Sequence, residues 1–225
     1  MSTLTSFSNH RIHVYFFSLF LTPQGASFSG NRAEPYHYPK TNQTLYFRGA
    51  RVLDAILDTL LEEHGLDKAT DVLVAGGSAG GLSTYLHTDH VGAYLRAKGV
   101  PLKRFKAAPV SGFFLMHATA SGKLLYPDEM KYVFHMQNSS GGVNAACRAA
   151  YQPADQWRCI FANESYAHTK TPMFPLNSAL DAWQMVRVRG RVRARVRVRV
   201  TIRTRVRVRV RARVRIRVVL GRLCR

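Results

Sequence analysis

Apolar residues along residues 50–63 come in pairs, Val52/Leu53, Ile56/Leu57 and Leu60/Leu61, with Asp54, Asp58 and Glu62 beside them. A repeat every three to four residues gathers them on one face of a helix. Gly65 sits where a C-terminal cap is expected. After a polar link at 67–71 the period changes. Val72-Leu73-Val74-Ala75 is a short unbroken apolar run bounded by turn residues, the pattern of a strand buried on both faces. Glycines crowd positions 76–81, and a second helical stretch is expected from there to about Lys98, stopped by Gly99 and Pro101. Residues 103–110 suit a second strand. Tyr126-Pro127-Asp128-Glu129 reads as a helix start, with proline and acids in the first turn. Residues 173–176 suit a third strand, weakened by Pro175, which cannot donate to a ladder. Helices and strands in alternation predict an α/β fold with a mostly parallel sheet and flanking helices.

Outside that pattern the chain is less regular. Residues 25–48 are rich in Gly, Ser, Asn, Pro and Tyr and read as loop. The apolar stretch at 14–21 follows His10-Arg11 and faintly resembles a signal peptide, but Thr22-Pro23-Gln24 stands where a small-residue cleavage site belongs. A buried strand or a stray leader is the better reading. No run reaches the ~18 apolar residues of a membrane span. Residues 1–24 are therefore set apart as a leader, and 25–185 as one domain.

From 186 onward the pattern is nearly a dipeptide repeat of Arg and Val. This changes the meaning of the net charge. The 225 residues carry +20, from 33 Lys and Arg against 13 Asp and Glu. Residues 187–225 hold 17 of the basic residues and none of the acidic ones, which leaves the rest near +3. A strand with Arg on one face and Val on the other would attract phosphate in a salt-dependent way. No aromatic residues interleave to stack bases. The tail is read as low-complexity sequence, and nucleic-acid or anionic-surface binding through it is kept as the alternative function.

Three cysteines are too few for a disulfide scaffold and lack a zinc-ligand spacing. Cys147 and Cys159 flank a loop with Pro153 and can pair in an oxidising compartment; three unrelated thiols, with Cys224 in the tail, fit the spacing as well. The sequons at Asn42, Asn138 and Asn163 point mildly toward secretion. No cofactor and no metal is expected.

The chemical signal is Gly76-Gly77-Ser78-Ala79-Gly80, a G-x-S-x-G between an expected strand and an expected helix. In that context a sharp turn lifts the Ser78 hydroxyl above the sheet edge. Small residues at Gly76 and Gly80 let strand and helix approach. The turn also leaves the Ala79 N–H at a helix N-terminus, where a tetrahedral oxyanion would form. A phosphate loop would need a G-x-x-x-x-G-K-[ST] or G-x-G-x-x-G pattern, and neither is present.

The run Gly76 to Leu82 followed by Leu86-His87-Thr88-Asp89 resembles the pectin acetylesterase/Notum carboxylesterase family. Three other stretches resemble it in order. They are Gly25 to Asn31 with Leu45 to Arg51; Ser111-Gly112-Phe113-Phe114; and Thr171-Pro172-Met173-Phe174 through Asn177, Asp181, Trp183 and Gln184. The resemblance implies a secreted or cell-wall serine esterase of α/β-hydrolase type. Its substrate would be an acetylated polysaccharide or an acylated protein. By motif, Ser78 matches the nucleophile and Asp181 the triad acid. Cys147 and Cys159 fall where members carry a cystine. The chain order Ser78, then Asp181, is the one such triads use.

Three departures lower the expected rate. No histidine follows Asp181, where the family places its base; His87, His90, His117, His135 and His168 all precede it and are expected to be structural. No Gly-Gly-Gly-Trp-Cys-like segment, which supplies the second oxyanion donor, precedes Gly25, and Val110 stands where an Asp is common. A serine hydroxyl without a base is a weak nucleophile, so impaired activity is expected.

Overall fold

The computed structural model describes residues 11–16, 26–118, 122 and 124–179. In chain order it begins with strand β1 (Arg11–Phe16), then a short antiparallel pair, β2 (Tyr36–Tyr38) and β3 (Gln43–Leu45). Helix α1 (Gly49–Glu63) follows, then β4 (Asp71–Gly77), α2 (Ala79–Ala97) and β5 (Arg104–Val110). The rest is α3 (Leu125–Met136), α4 (Ala145–Ala150) and α5 (Ala162–His168), joined by 3-10 turns at Leu66–Lys68, Ser139–Gly142 and Pro153–Ile160.

The sheet has the order β1-β4-β5, all parallel. β4, the unbroken apolar run, takes the centre, where both faces are covered: Val72, Val74 and Ala75 are buried. The apolar N-terminal stretch does supply a strand, described over Arg11–Phe16; residues 17–21 lie outside the described residues. The loop expected at 25–48 contains the β2–β3 pair, with Asn42 in the left-handed region at φ 51°.

The third expected strand is also present in reduced form. Met173 bridges Ala107 and Leu176 bridges Val110, both parallel. The Phe174 and Leu176 N–H groups donate to the Ala107 and Pro109 carbonyls at 2.8 and 2.9 Å. Pro175 falls between these two donors, so the N–H it lacks is not one the ladder needs. That is the edge-strand placement in which proline is tolerated.

α1 buries Leu53 and Leu57, while Ile56 of the expected apolar face is 38% exposed. Gly65, at φ 73°, follows its C-cap His64 as expected. α2 is different: every residue from Gly81 to Thr88 is buried. Its N-terminal half (Leu82, Tyr85, Leu86) enters a core with Phe134, Ile160 and Phe161. Its C-terminal half (Val91, Leu95) enters another with Leu53, Leu57, Val72, Val74 and Phe105. One helix thus serves as a wall of two cores. The short elements α4, α5 and the 3-10 turns were not anticipated from the sequence; each is too short to show a period.

Candidate active site

Ser78 lies between the last residue of β4 and the first of α2, with φ 54° and ψ −120°. A non-glycine residue there is strained, by on the order of 1–3 kcal/mol, and persists only where its surroundings over-determine it. They do here. The Ser78 N–H donates to Val110 O at 2.9 Å, and Ser78 O accepts from Leu82 N–H at 3.0 Å. The side chain is exposed. Among the described residues its Oγ has no hydrogen-bond partner, and no histidine reaches it.

The geometry depends on a close contact of two backbones. A Cβ on Gly81 would come within 2.6 Å of Val110 O, and one on Gly112 within 2.3 Å of the Gly81 carbonyl carbon. One residue beyond Gly80, helix and sheet meet backbone to backbone, at Gly81 against Gly112. Gly80 is buried, whereas a Cβ on Gly77 would meet nothing within 4 Å. Ala79 opens α2, so its N–H is among the four without an acceptor inside the helix.

Asp181 lies outside the described residues, as do Trp183, Gln184, Cys224 and the Arg/Val tail. The path toward Asp181 is described as far as residue 179. Gly77 pairs with Val110, and Val110 bridges Leu176, so the three strand ends are in register. The chain leaves the sheet after Leu176 at the same edge as Ser78. There Asn177 Oδ1 accepts from the Phe113 N–H at 3.3 Å, four residues before Asp181. Carboxyl ends of parallel strands are where such sheets place their reactive groups.

Two residues of the Leu86-His87-Thr88-Asp89 run hold the segments on either side of this edge. His87 is buried and its Nε2–H donates to Ser27 O at 2.8 Å, in a loop where Ser27 and Phe28 have positive φ. Burial pushes the His87 imidazole down to about 4, against the upward pull of the Ser27 bond, so it is neutral near pH 7. Asp89 accepts from Lys170 N–H, Thr171 N–H, Thr171 Oγ1 and Asn144 Nδ2 at 2.7–3.1 Å. Burial raises its carboxyl, but these four bonds outweigh it and hold the group below the usual carboxylate range. On the other flank Phe113, from the Ser111-Gly112-Phe113-Phe114 stretch, meets Tyr85 and Tyr166, which the sequence reading did not single out; the three rings lie edge to face, 5.5–6.3 Å apart.

The remaining histidines are engaged elsewhere, His90 with Asp54 at 2.7 Å and His168 against the Tyr151 ring. Cys147 and Cys159 form a disulfide and are fully buried. Of the sequon asparagines, Asn42 and Asn138 are exposed, while Asn163 accepts from Met116 N–H and donates to Glu164. No helix among the described residues is long and apolar enough to cross a membrane.

Comparison with known proteins bears on the family and the fold. The chain is 30% identical over 161 residues to pectin acetylesterase 4 of Arabidopsis thaliana, covering 72% of this chain and 37% of that protein. It is 27% identical over 144 residues to the human palmitoleoyl-protein carboxylesterase NOTUM, covering 62% and 29%. Among solved structures, the Wnt deacylase Notum from Drosophila superposes with a TM-score of 0.61 at 25% identity, over 72% of this chain and 46% of that one. The chain thus spans a little over a third of the length of the curated plant relatives it matches. A family model described as Pectinacetylesterase matches residues 22–197, most of the chain. By that match, and by an α/β fold that presents Ser78 at its sheet edge, the chain belongs to the pectinacetylesterase family.

Proposed function

We propose that this protein is a serine carboxylesterase acting on acetyl or acyl esters, with Ser78 as nucleophile. One observation supports this most: an exposed serine at φ 54° and ψ −120° on a strand-to-helix turn. Nothing in simple packing asks for a serine in that conformation. Ser78 Oγ would attack the ester carbonyl. The Ala79 N–H, at the positive end of α2, would meet the developing oxyanion. Asp181, beyond the strand end that aligns with Ser78, would orient the base of a complete triad. The base is the weak point, since none of the described histidines bonds to Ser78. Turnover by this chain is therefore slow, sustained by the oxyanion donor and substrate binding.

The ester would belong to an acetylated polysaccharide or an acylated protein, as the names of the plant and animal relatives suggest. A secreted or cell-wall location is supported by the Cys147–Cys159 disulfide, which belongs to an oxidising compartment, and by the exposed sequons at Asn42 and Asn138. The test is hydrolysis of p-nitrophenyl acetate by the purified full chain. A slow turnover that Ser78→Ala abolishes is expected. Turnover that Ser78→Ala leaves unchanged would refute the assignment of Ser78.

A further inference from the structure

Ser78 has a counterpart on the next strand. Ser111, one residue past the end of β5, has φ 48°. Among the described residues six that are not glycine have positive φ, and only Ser78 and Ser111 directly follow strands of the parallel sheet. Serine is not one of the residues enriched in that region, so each is held there by its surroundings.

The two serines are neighbours. Gly77 and Val110 are the last pair of the β4–β5 ladder, so Ser78 and Ser111 come next on each strand. The Ser78 N–H donates to Val110 O, in the peptide group that joins Val110 to Ser111. Neighbouring strands lie about 5 Å apart, so one small ester is within reach of both side chains. The Ser111 backbone is fixed on its other side as well. Its N–H donates to Leu176 O at 2.7 Å, and Gly112 after it is pressed against Gly81. The Ser111 side chain is exposed, and among the described residues its Oγ has no hydrogen-bond partner.

A free hydroxyl on a rigid backbone is a preorganised donor. An ester held at Ser78 has two oxygens to satisfy, and the Ala79 N–H at the start of α2 serves the carbonyl oxygen. We infer that the Ser111 hydroxyl, on the β5 side, donates a hydrogen bond to the other, the bridging oxygen of the alcohol part. This rests on Ser78 being the nucleophile. In that step the bond from Ser78 Oγ to the acyl carbon forms, and the bond from the acyl carbon to the bridging oxygen breaks. The bridging oxygen departs with the electron pair and takes a proton from water, and the Ser78 proton passes to water. Ser111 keeps its own proton. Its hydrogen bond strengthens as charge grows on the departing oxygen, so it acts on rate more than on binding. It counts most where the alcohol is a poor leaving group.

The test compares phenyl acetate with p-nitrophenyl acetate, whose leaving group needs less help. The kcat/KM of the purified full chain is measured on both, with Ser78→Ala as the reference for turnover that needs the nucleophile. Ser111→Gly removes the hydroxyl and accepts φ 48° without strain, so the fold is kept. Ser111→Ala removes the hydroxyl and leaves the strain in place. Both variants are expected to lower kcat/KM about tenfold on phenyl acetate and less than about threefold on p-nitrophenyl acetate. Equal losses on the two esters would make Ser111 a structural residue and overturn the inference, as would unchanged turnover of phenyl acetate. The nucleophile is judged separately: turnover absent from the parent chain, or unchanged in Ser78→Ala, overturns the role of Ser78 and this inference with it.

Discussion

The two cores divided by α2 are held by different means. The first, with β4, β5, α1 and the end of α2, is strand and helix packed by aliphatic side chains: Leu53, Leu57, Val72, Val74, Val91 and Leu95. The second has no strand. It gathers α3, α4, α5 and the 3-10 turns around Tyr85, Phe134, Ile160 and Phe161, and it encloses the Cys147–Cys159 bond. Extended hydrogen-bonded ladders stabilise the first by regular repetition. The second is made of pieces too short to be stable helices alone, so a covalent link and aromatic packing supply the order. Ser78 stands at the seam between them, where Gly81 touches Gly112. A strained serine needs both sides to be rigid.

The comparison can be broken most severely at that seam. Gly112→Ala would drive a methyl group into the backbone of Gly81 and Leu82, with contacts of 2.3–2.5 Å and no flexible side chain to yield. A loss of at least about 4 kcal/mol in urea unfolding is expected, with both cores destabilised. A mild effect would mean that helix and sheet can separate freely.

Cys147→Ser/Cys159→Ser tests the second core alone. Opening a loop of sequence separation 12 should cost about 3 kcal/mol. Hydrogen exchange should rise in α4 and α5 before β4 and β5. Equal acceleration in the sheet would show that the two cores are one cooperative unit.

A third test uses the helix they share. His87 is depressed to about 4 in the folded protein, against about 6.5 when unfolded. Its neutral form is compatible with the fold and its cation is not. The unfolded state thus binds the extra proton first, and stability falls as pH drops from about 6.5 toward 4. Between pH 7 and pH 5 the loss due to this group is about 2 kcal/mol. His87→Gln can keep a donor toward Ser27 O and should remove that part of the pH dependence. An unchanged slope would place the titrating group elsewhere.

The smallest effect is at the serine itself. Ser78→Gly relieves a positive φ and should stabilise the chain by about 1 kcal/mol while removing the nucleophile. A destabilisation would show that the turn is not strained.

Much of the first core was legible beforehand. The paired apolar positions of α1, the unbroken run of β4, the terminating Gly65 and Gly99 and the pentapeptide around Ser78 are local signals, and each became the element it predicts. The second core was not legible, because α4, α5 and the 3-10 turns carry no period and their order comes from contacts distant in sequence. The partner of Cys147 was open on spacing alone. His87 and Asp89 were readable as members of a motif. That one reaches the loop at Ser27 and the other Lys170 and Thr171, just before the 173–176 strand, could not be read from their neighbours.

By itself the sequence determined the strand–turn–helix that bears Ser78, the alternation that makes an α/β fold, and the concentration of charge in residues 187–225. These follow from period, chain stiffness and composition, which are properties of adjacent residues. Tertiary structure alone decided that Gly77, Val110 and Leu176 end in register and that Gly81 must meet Gly112. Those outcomes depend on which surfaces pack together, and packing joins residues that the chain keeps far apart.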